Sequence, residues 1–475
     1  MNKRKLITIL ILFLYSVQVD ENKSSYLFNE FTGIYISSSG SYEKANKIFD
    51  FNSLNITEDD YSLYINEMKE ESPSYLYNFT KGVLYNIKVK FNKLLKMTNN
   101  MFSNCISLQY LNLSLLNTSQ VTNMNQMFSG CSSLTSITLN NFNTEKVIFM
   151  EEMFYSCKSL LSLDLSSFKT INVISMKNMF GLCSSLTSID LSNFETKNVK
   201  DMSWMFSSCE SLSILNLLSF NTRNVQTMQS MFSNCNSLSR LELSSFNTEN
   251  VENMESMFTG CNSLVVLNLK MFNTRNVINM NSMFSNCESL VDINLSRFNT
   301  EQVKTMANMF SNCASLTSID LSSFNTKQVT YLSNMFNNCK SLTSIDLSKF
   351  NTQKVVNTGN MFNNCYSLKY IDLSSFNSTT FEYTYNMFYN CSSLTSIDLK
   401  NFKFDNIVFM EAMFYDCINL KTIILDNCDI RDSANINMAF YNIAKNGVIK
   451  LPKGRCNRLI NEFISSTNGW LVEFI

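Results

Sequence analysis

The sequence predicts an α/β solenoid, with a parallel β-sheet on the concave face, short helices on the convex face and a cap at each end. Three observations predict it. Thirteen Cys recur at a constant interval of 26 residues: Cys105, Cys131, Cys157, Cys183, Cys209, Cys235, Cys261, Cys287, Cys313, Cys339, Cys365, Cys391 and Cys417. Within each interval, alternating apolar and polar residues are followed by apolar residues three or four apart. The 475-residue chain also holds 10 Gly and 2 Pro, too few for flexible linkers between separate domains. A strict period of this size, without insertions, describes coils that each pack only on their neighbours.

The chain opens with "MNKRK", a basic start, followed by the apolar run "LITILILFLYSV" from Leu6 to Val17. This suits a signal peptide over residues 1–19 and is short for a bilayer span; a buried N-terminal strand is the alternative. An exported chain is expected, soluble or held at a surface by other molecules. Sequons at Asn22, Asn55, Asn78, Asn117 and Asn377 fit export but carry little weight in a chain so rich in Asn, Ser and Thr. Residues 20–86 lack the repeat and read as an N-terminal cap. The first unit, "IKVKFNKLLKMTNNMF", is degenerate, as a terminal unit must be.

Residues 87–426 form the solenoid, about 13 repeats of 26 residues. In the unit beginning at Cys235, which holds Leu238, Leu241 and Leu243, the segment from Arg240 to Ser244 alternates outward polar with inward apolar residues, the mark of a half-buried strand. Later copies read "SIDLS", as at Ser318 to Ser322. Phe246 follows, then Asn247 and Thr248, both turn and cap residues. Val251, Met254, Met257, Phe258 and Cys261 then share one helical face, predicting a short helix from Glu249 to Thr259. A β reading of that segment stays open, because three-residue steps also occur at solenoid corners.

A lone unit has about ten apolar side chains and nothing to cover them. Each is worth ~1.5–3 kcal/mol gross when buried, most of which offsets backbone ordering. Stacking is what lets the unit fold. Beyond Cys417, Ile424 takes an outward polar position and the pattern dissolves, so residues 427–475 read as a C-terminal cap.

The chain has 38 basic and 39 acidic residues, a formal net charge of −1. That gives no electrostatic hold on nucleic acid or on an anionic membrane. His is absent, which removes the commonest general base and metal ligand. No enzyme, cofactor or metal is expected.

The candidate binding residues lie at the central outward position of the strands: Glu242, Asn268, Asn294, Asp320, Asp346, Asp372 and Asp398. Four consecutive Asp repel by roughly 1 kcal/mol per pair in water. A solvated acidic strip, a docking face for a protein or glycan, and a Ca²⁺ site are the three readings. Ca²⁺ solenoids use Gly-rich turns, which are lacking. Arg223, Glu249, Arg275, Glu301 and Lys327 alternate in sign on successive units and favour register, each exposed pair contributing ~0–1 kcal/mol. The Asn ladder at 221, 247, 273, 299, 325, 351 and 377 is expected to bond backbone between units. The Cys ladder, among Met and Phe, reads as buried thiols acting as small apolar filler. Cys428 and Cys456 stand outside it, and either a cap disulfide or two free thiols fits them.

The recurring pattern C-x-S-L-x-x-I-D-L-S-x-F-N-T-x-x-V-x-x-M-x-x-M-F resembles the BspA-like leucine-rich repeat surface proteins of bacteria and parasitic protists, in their longer repeat variant. The resemblance covers residues 87–425, and "NGVIKLPKGRCNRLINEFISSTNGW" is similar to that family's closing segment. It implies a leucine-rich repeat solenoid, secreted or surface-displayed, that acts in adhesion or binds host or matrix proteins; the expected partners are extracellular or host proteins, with glycans as a further class for the strand face. The alternatives are a passive extracellular scaffold assembling through its ends, and a carbohydrate-active enzyme using stacked Asp.

Overall fold

The computed structural model describes residues 29–37, 46–50, 54–426, 428–454, 456–466 and 469–474. The segment read as an export signal lies outside them.

The repeat winds into a solenoid of leucine-rich coils. Residues 26 apart pair in parallel along one side, from Met97 through Asn123 and Phe149 to Asn435, fourteen coils among the described residues. A second parallel ladder is built from short strands. Tyr110 pairs with Ser136, Ser188 with Ile214, Val266 with Asp292, and Ser396 with Thr422. Strand residues alternate as expected: Leu267 is buried between exposed Val266 and Asn268.

The predicted helix is absent, and a train of tight turns stands in its place. From Ser256 to Cys261 the N–H groups alternate between two destinations. Those of Met257, Thr259 and Cys261 bond the carbonyl three residues back in their own coil. Those of Ser256, Phe258 and Gly260 bond Asn281, Met283 and Ser285 of the next coil at 2.8–2.9 Å. Ser256 (φ 55°) and Gly260 (φ 73°) are left-handed, which an α-helix does not accept. A helix would keep its N–H groups to itself; here half of them hold adjacent coils together. The sequence could not separate the two cases, because inward residues three apart suit both. Among the described residues the α-helix is Asn457–Ser466.

The core is a set of parallel side-chain columns. Phe102, Phe128, Phe154 and their equivalents to Phe440 stack at centroid distances of 5.1–5.9 Å with planes within 20°. Each end of this column is closed by an edge-on ring. Phe31 meets Phe102 at 4.9 Å and 82°, and Phe463 meets Phe440 at 5.1 Å and 82°.

Phe31 comes from strand Glu30–Ile36, which pairs antiparallel with Leu84–Phe91 on one edge and with the first coil's Leu108–Asn112 on the other. Tyr61–Ile65 then pairs with Leu84–Phe91. An antiparallel sheet thus covers the open end of the stack. At the other end the 26-residue offset persists past residue 426, with Thr422 opposite Val448. Val448–Leu451 pairs in parallel with Leu471–Phe474, and helix Asn457–Ser466 lies between them in sequence. A disulfide joins Cys428 to Cys456, with Cα atoms 5.1 Å apart.

Candidate functional site

The strand face presents Glu242, Asn268, Asn294, Asp320, Asp346, Asp372 and Asp398 in one row, exposed or half-buried. Each closes a local turn. Asp320 Oδ1 accepts the Ser322 N–H at 2.9 Å, Asp346 that of Ser348 at 2.9 Å, Asp372 that of Ser374 at 2.8 Å and Asp398 that of Lys400 at 3.0 Å. Glu242, Asn268 and Asn294 accept from Ser244, Lys270 and Ser296 in the same way. These are Asx-type turns, with Glu242 as a longer variant.

The turn bond explains why stacked carboxylates are tolerated. The backbone N–H of Ser322 draws the Asp320 carboxyl below its ordinary range, and this outweighs the opposing effect of Asp346 on the next coil. Asp164, Asp190 and Asp346 are lowered by the same kind of donor. Asp320 and Asp346 therefore stay ionised, and much of the row's repetition serves the turn.

The Asn ladder differs from expectation. The side chains of Asn221, Asn247, Asn273, Asn299, Asn325 and Asn351 bond the N–H two residues on within their own coil, at 3.0–3.2 Å. The bond between coils belongs to the buried Thr beside them. Thr222 Oγ donates to the Asn247 carbonyl and accepts the Asn247 N–H, both at 2.8 Å. The pattern recurs from Thr118 to Thr326. The legible signal was a Thr kept at an inward position among apolar neighbours. A second amide ladder was also missed. Asn312, Asn338, Asn364 and Asn390 each donate Nδ2 to the Oδ1 of the Asn one coil earlier, at 2.7–3.0 Å, beginning on Asn286. All five are left-handed, a conformation Asn tolerates.

The thirteen ladder Cys are free, buried thiols. Each is more than filler: from Cys131 to Cys417, Sγ donates to the carbonyl of a Phe in the preceding coil at 3.0–3.2 Å, as Cys235 does to Phe206. Cys105 donates to the carbonyl of Ile48, which precedes the repeat. Burial pushes the Cys131, Cys183, Cys261 and Cys417 thiols up to about 12, so they carry no nucleophile at neutral pH. Among the described residues no ion pair within 4.0 Å joins Arg223, Glu249, Arg275, Glu301 and Lys327.

The strand side also carries exposed apolar side chains outside the predicted row of binding residues. Ile214 is 70% exposed and Val266 52%, two coils apart at an outward position where Ser188, Ser318 and Ser344 stand elsewhere. Leu218 and Met271 lie nearby in the same coils and are 55% and 56% exposed. The signal was available: an apolar residue breaking the strand alternation on its polar side.

A family profile described as "Mycoplasma protein of unknown function, DUF285" matches residues 86–190, 175–293, 263–371 and 343–448 in four overlapping passes. No curated protein matches the chain. Among solved structures, the chain is similar to a leucine-rich repeat protein from Eubacterium ventriosum ATCC 27560. That likeness has 17% identity and a TM-score of 0.31, covering 57% of this chain and 81% of that one. It is also similar to the TLR13–ssRNA13 complex, at 14% identity and TM-score 0.16, over 80% of this chain and 73% of that one.

Proposed function

From the premise that this chain belongs to the DUF285 family of repeat proteins, we propose that it is an exported recognition protein. In this reading it is of the BspA-like kind and binds extracellular or surface proteins through its strand face. The single observation that carries the proposal is the patch of Ile214, Leu218, Val266 and Met271. A folded chain with a complete core has no structural need for four exposed apolar side chains where other coils carry mostly polar ones. Such patches, rimmed by polar groups, mark protein interaction sites. Arg240 and Glu242, on the coil between, supply the polar contacts that fix orientation. The basic and apolar start of the sequence supports export. The missing His and the turn-bound carboxylates support binding without chemistry.

The test is solution binding of the purified chain to a panel of matrix and cell-surface proteins, with a salt series. Ile214→Ser with Val266→Ser restores residues found in other coils and should abolish binding at unchanged melting temperature. Undiminished binding by the double variant would refute the strand-face site. Asp346→Asn with Asp372→Asn separates the enzyme reading, since turnover of a glycan lost in that variant would indicate catalysis.

A passive scaffold assembling through its ends is the second reading. Leu471 and Phe474, on the terminal strand, are 68% and 55% exposed and favour it. Concentration-dependent end-to-end oligomers in sedimentation velocity, lost in Leu471→Ser, would support it over recognition.

A further inference from the structure

We propose that the turn face, away from the strand patch, carries a saccharide-binding subsite centred on Trp204. Tyr155, Gly181 and Trp204 come from three successive coils and surround a cleft of about 400 Å³, within the range of small-molecule sites.

The repeat supplies its own control. The position of Gly181 holds Ser129, Ser207, Ser233 and Ser285 in other coils. A Cβ at Gly181 would lie 3.1 Å from the Tyr155 ring and 2.8 Å from Asn178 Oδ1, so the missing side chain is what opens the floor. The position of Trp204 holds Asn178, Ser230, Ser256 and Ser282 elsewhere, and that of Leu182 holds Ser156, Ser208 and Asn234. Trp204 (φ 55°) and Leu182 (φ 60°) are left-handed. Asn, Ser and Gly tolerate that conformation better than a bulky side chain does. Packing does not demand the indole here, because neighbouring coils close without one.

The cleft combines a flat π-surface with donors and acceptors of mixed sign. Lys177 Nζ lies over the indole, 5.3 Å from its centroid. Glu152 is held in place by Gln126 Nε2 at 2.8 Å. A pyranose has a C–H face that meets the negative face of an aromatic ring, and a rim of hydroxyls that both donate and accept. Neighbouring hydroxyls match a carboxylate and an ammonium together. One charge of each sign gives an ionic ligand no net advantage, so the chemistry favours a neutral sugar.

The chain has two Trp, at 204 and 470. Labelling with fluorotryptophan gives the full chain two fluorine resonances, assigned with Trp204→Phe. The probes are the methyl pyranosides of glucose, galactose, mannose and N-acetylglucosamine. At least one should shift the Trp204 resonance saturably, with a dissociation constant of order 1–10 mM (about −4 kcal/mol or weaker), and leave Trp470 unmoved. Gly181→Ser restores the residue of other coils and should weaken that binding at least tenfold. Trp204→Ser should raise the melting midpoint while abolishing saturation transfer to the sugar. Silence with all four probes, unchanged affinity in Gly181→Ser, or a lower midpoint in Trp204→Ser would each overturn the proposal.

Discussion

The hydroxyl of Thr248 bonds both backbone polar groups of Asn273 in the next coil, donating to its carbonyl at 2.9 Å and accepting its N–H at 2.8 Å. One buried side-chain atom thereby satisfies two main-chain groups that a turn would otherwise leave unpaired.

Thr248→Val keeps the shape and removes the oxygen. Two backbone groups on Asn273 lose their partner, at about 0.5–1.5 kcal/mol each. Chemical denaturation should show that loss, and hydrogen exchange should place it at Asn273 and its flanking coils. A variant as stable as the parent would sink the role given to this Thr.

The Cys ladder makes the fold sensitive to alkali. A buried thiol whose folded value lies near 12 stays protonated while the unfolded thiol ionises from about 9 upward. Its stabilising effect is complete below the unfolded value and declines as pH rises towards the folded one. Each thiol removes up to about 1.4 kcal/mol per pH unit in that window. With many buried thiols acting together, unfolding by circular dichroism should turn on steeply above pH 9, and replacing Cys235 and Cys261 by Ala should flatten the slope. A pH-independent midpoint up to pH 11 would contradict it.

Asp346→Ala removes the acceptor of the Ser348 N–H, whereas Asp346→Asn retains it and removes charge. The Ala variant should melt lower than the Asn variant. The Asp346 carboxyl is held below its ordinary range. The charge-dependent part of its contribution is therefore present above the unfolded carboxylate value and is lost as pH falls, so the gap between Ala variant and parent should narrow in acid towards the gap between Ala and Asn variants. Equal melting of the two variants at neutral pH would show that the turn bond has no effect.

Phe463→Ala opens the C-terminal end of the Phe column. Large-to-small changes at fully buried aromatics cost ~3–5 kcal/mol, and in a stack of nearest neighbours the loss stays local. Amide exchange should accelerate in 422–451 and remain unchanged around Cys183. Uniform acceleration along the chain would mean that the coils unfold as one unit.

Several of these features are legible in the amino-acid order. The 26-residue Cys period fixed the coil length, and Leu241 and Leu243 alternating with Glu242 placed the strand. Both patterns run along the chain itself and need no knowledge of what packs on what. The helix predicted from Glu249 to Thr259 failed because Val251, Met254, Met257 and Cys261 point inward equally well from a helix and from linked turns. Asn247 was assigned a bond that Thr248 makes, since both residues are capable of it and only distance selects between them.

By itself the amino-acid order determined the period and which side chains face inward. Tertiary structure decided where half of the turn N–H groups go, which polar atoms meet across coils, and that Tyr155, Gly181 and Trp204 share one cleft. The reason is geometric. Residues about 26 apart become neighbours only when one coil is laid on the next, so any property belonging to such a pair exists only after stacking.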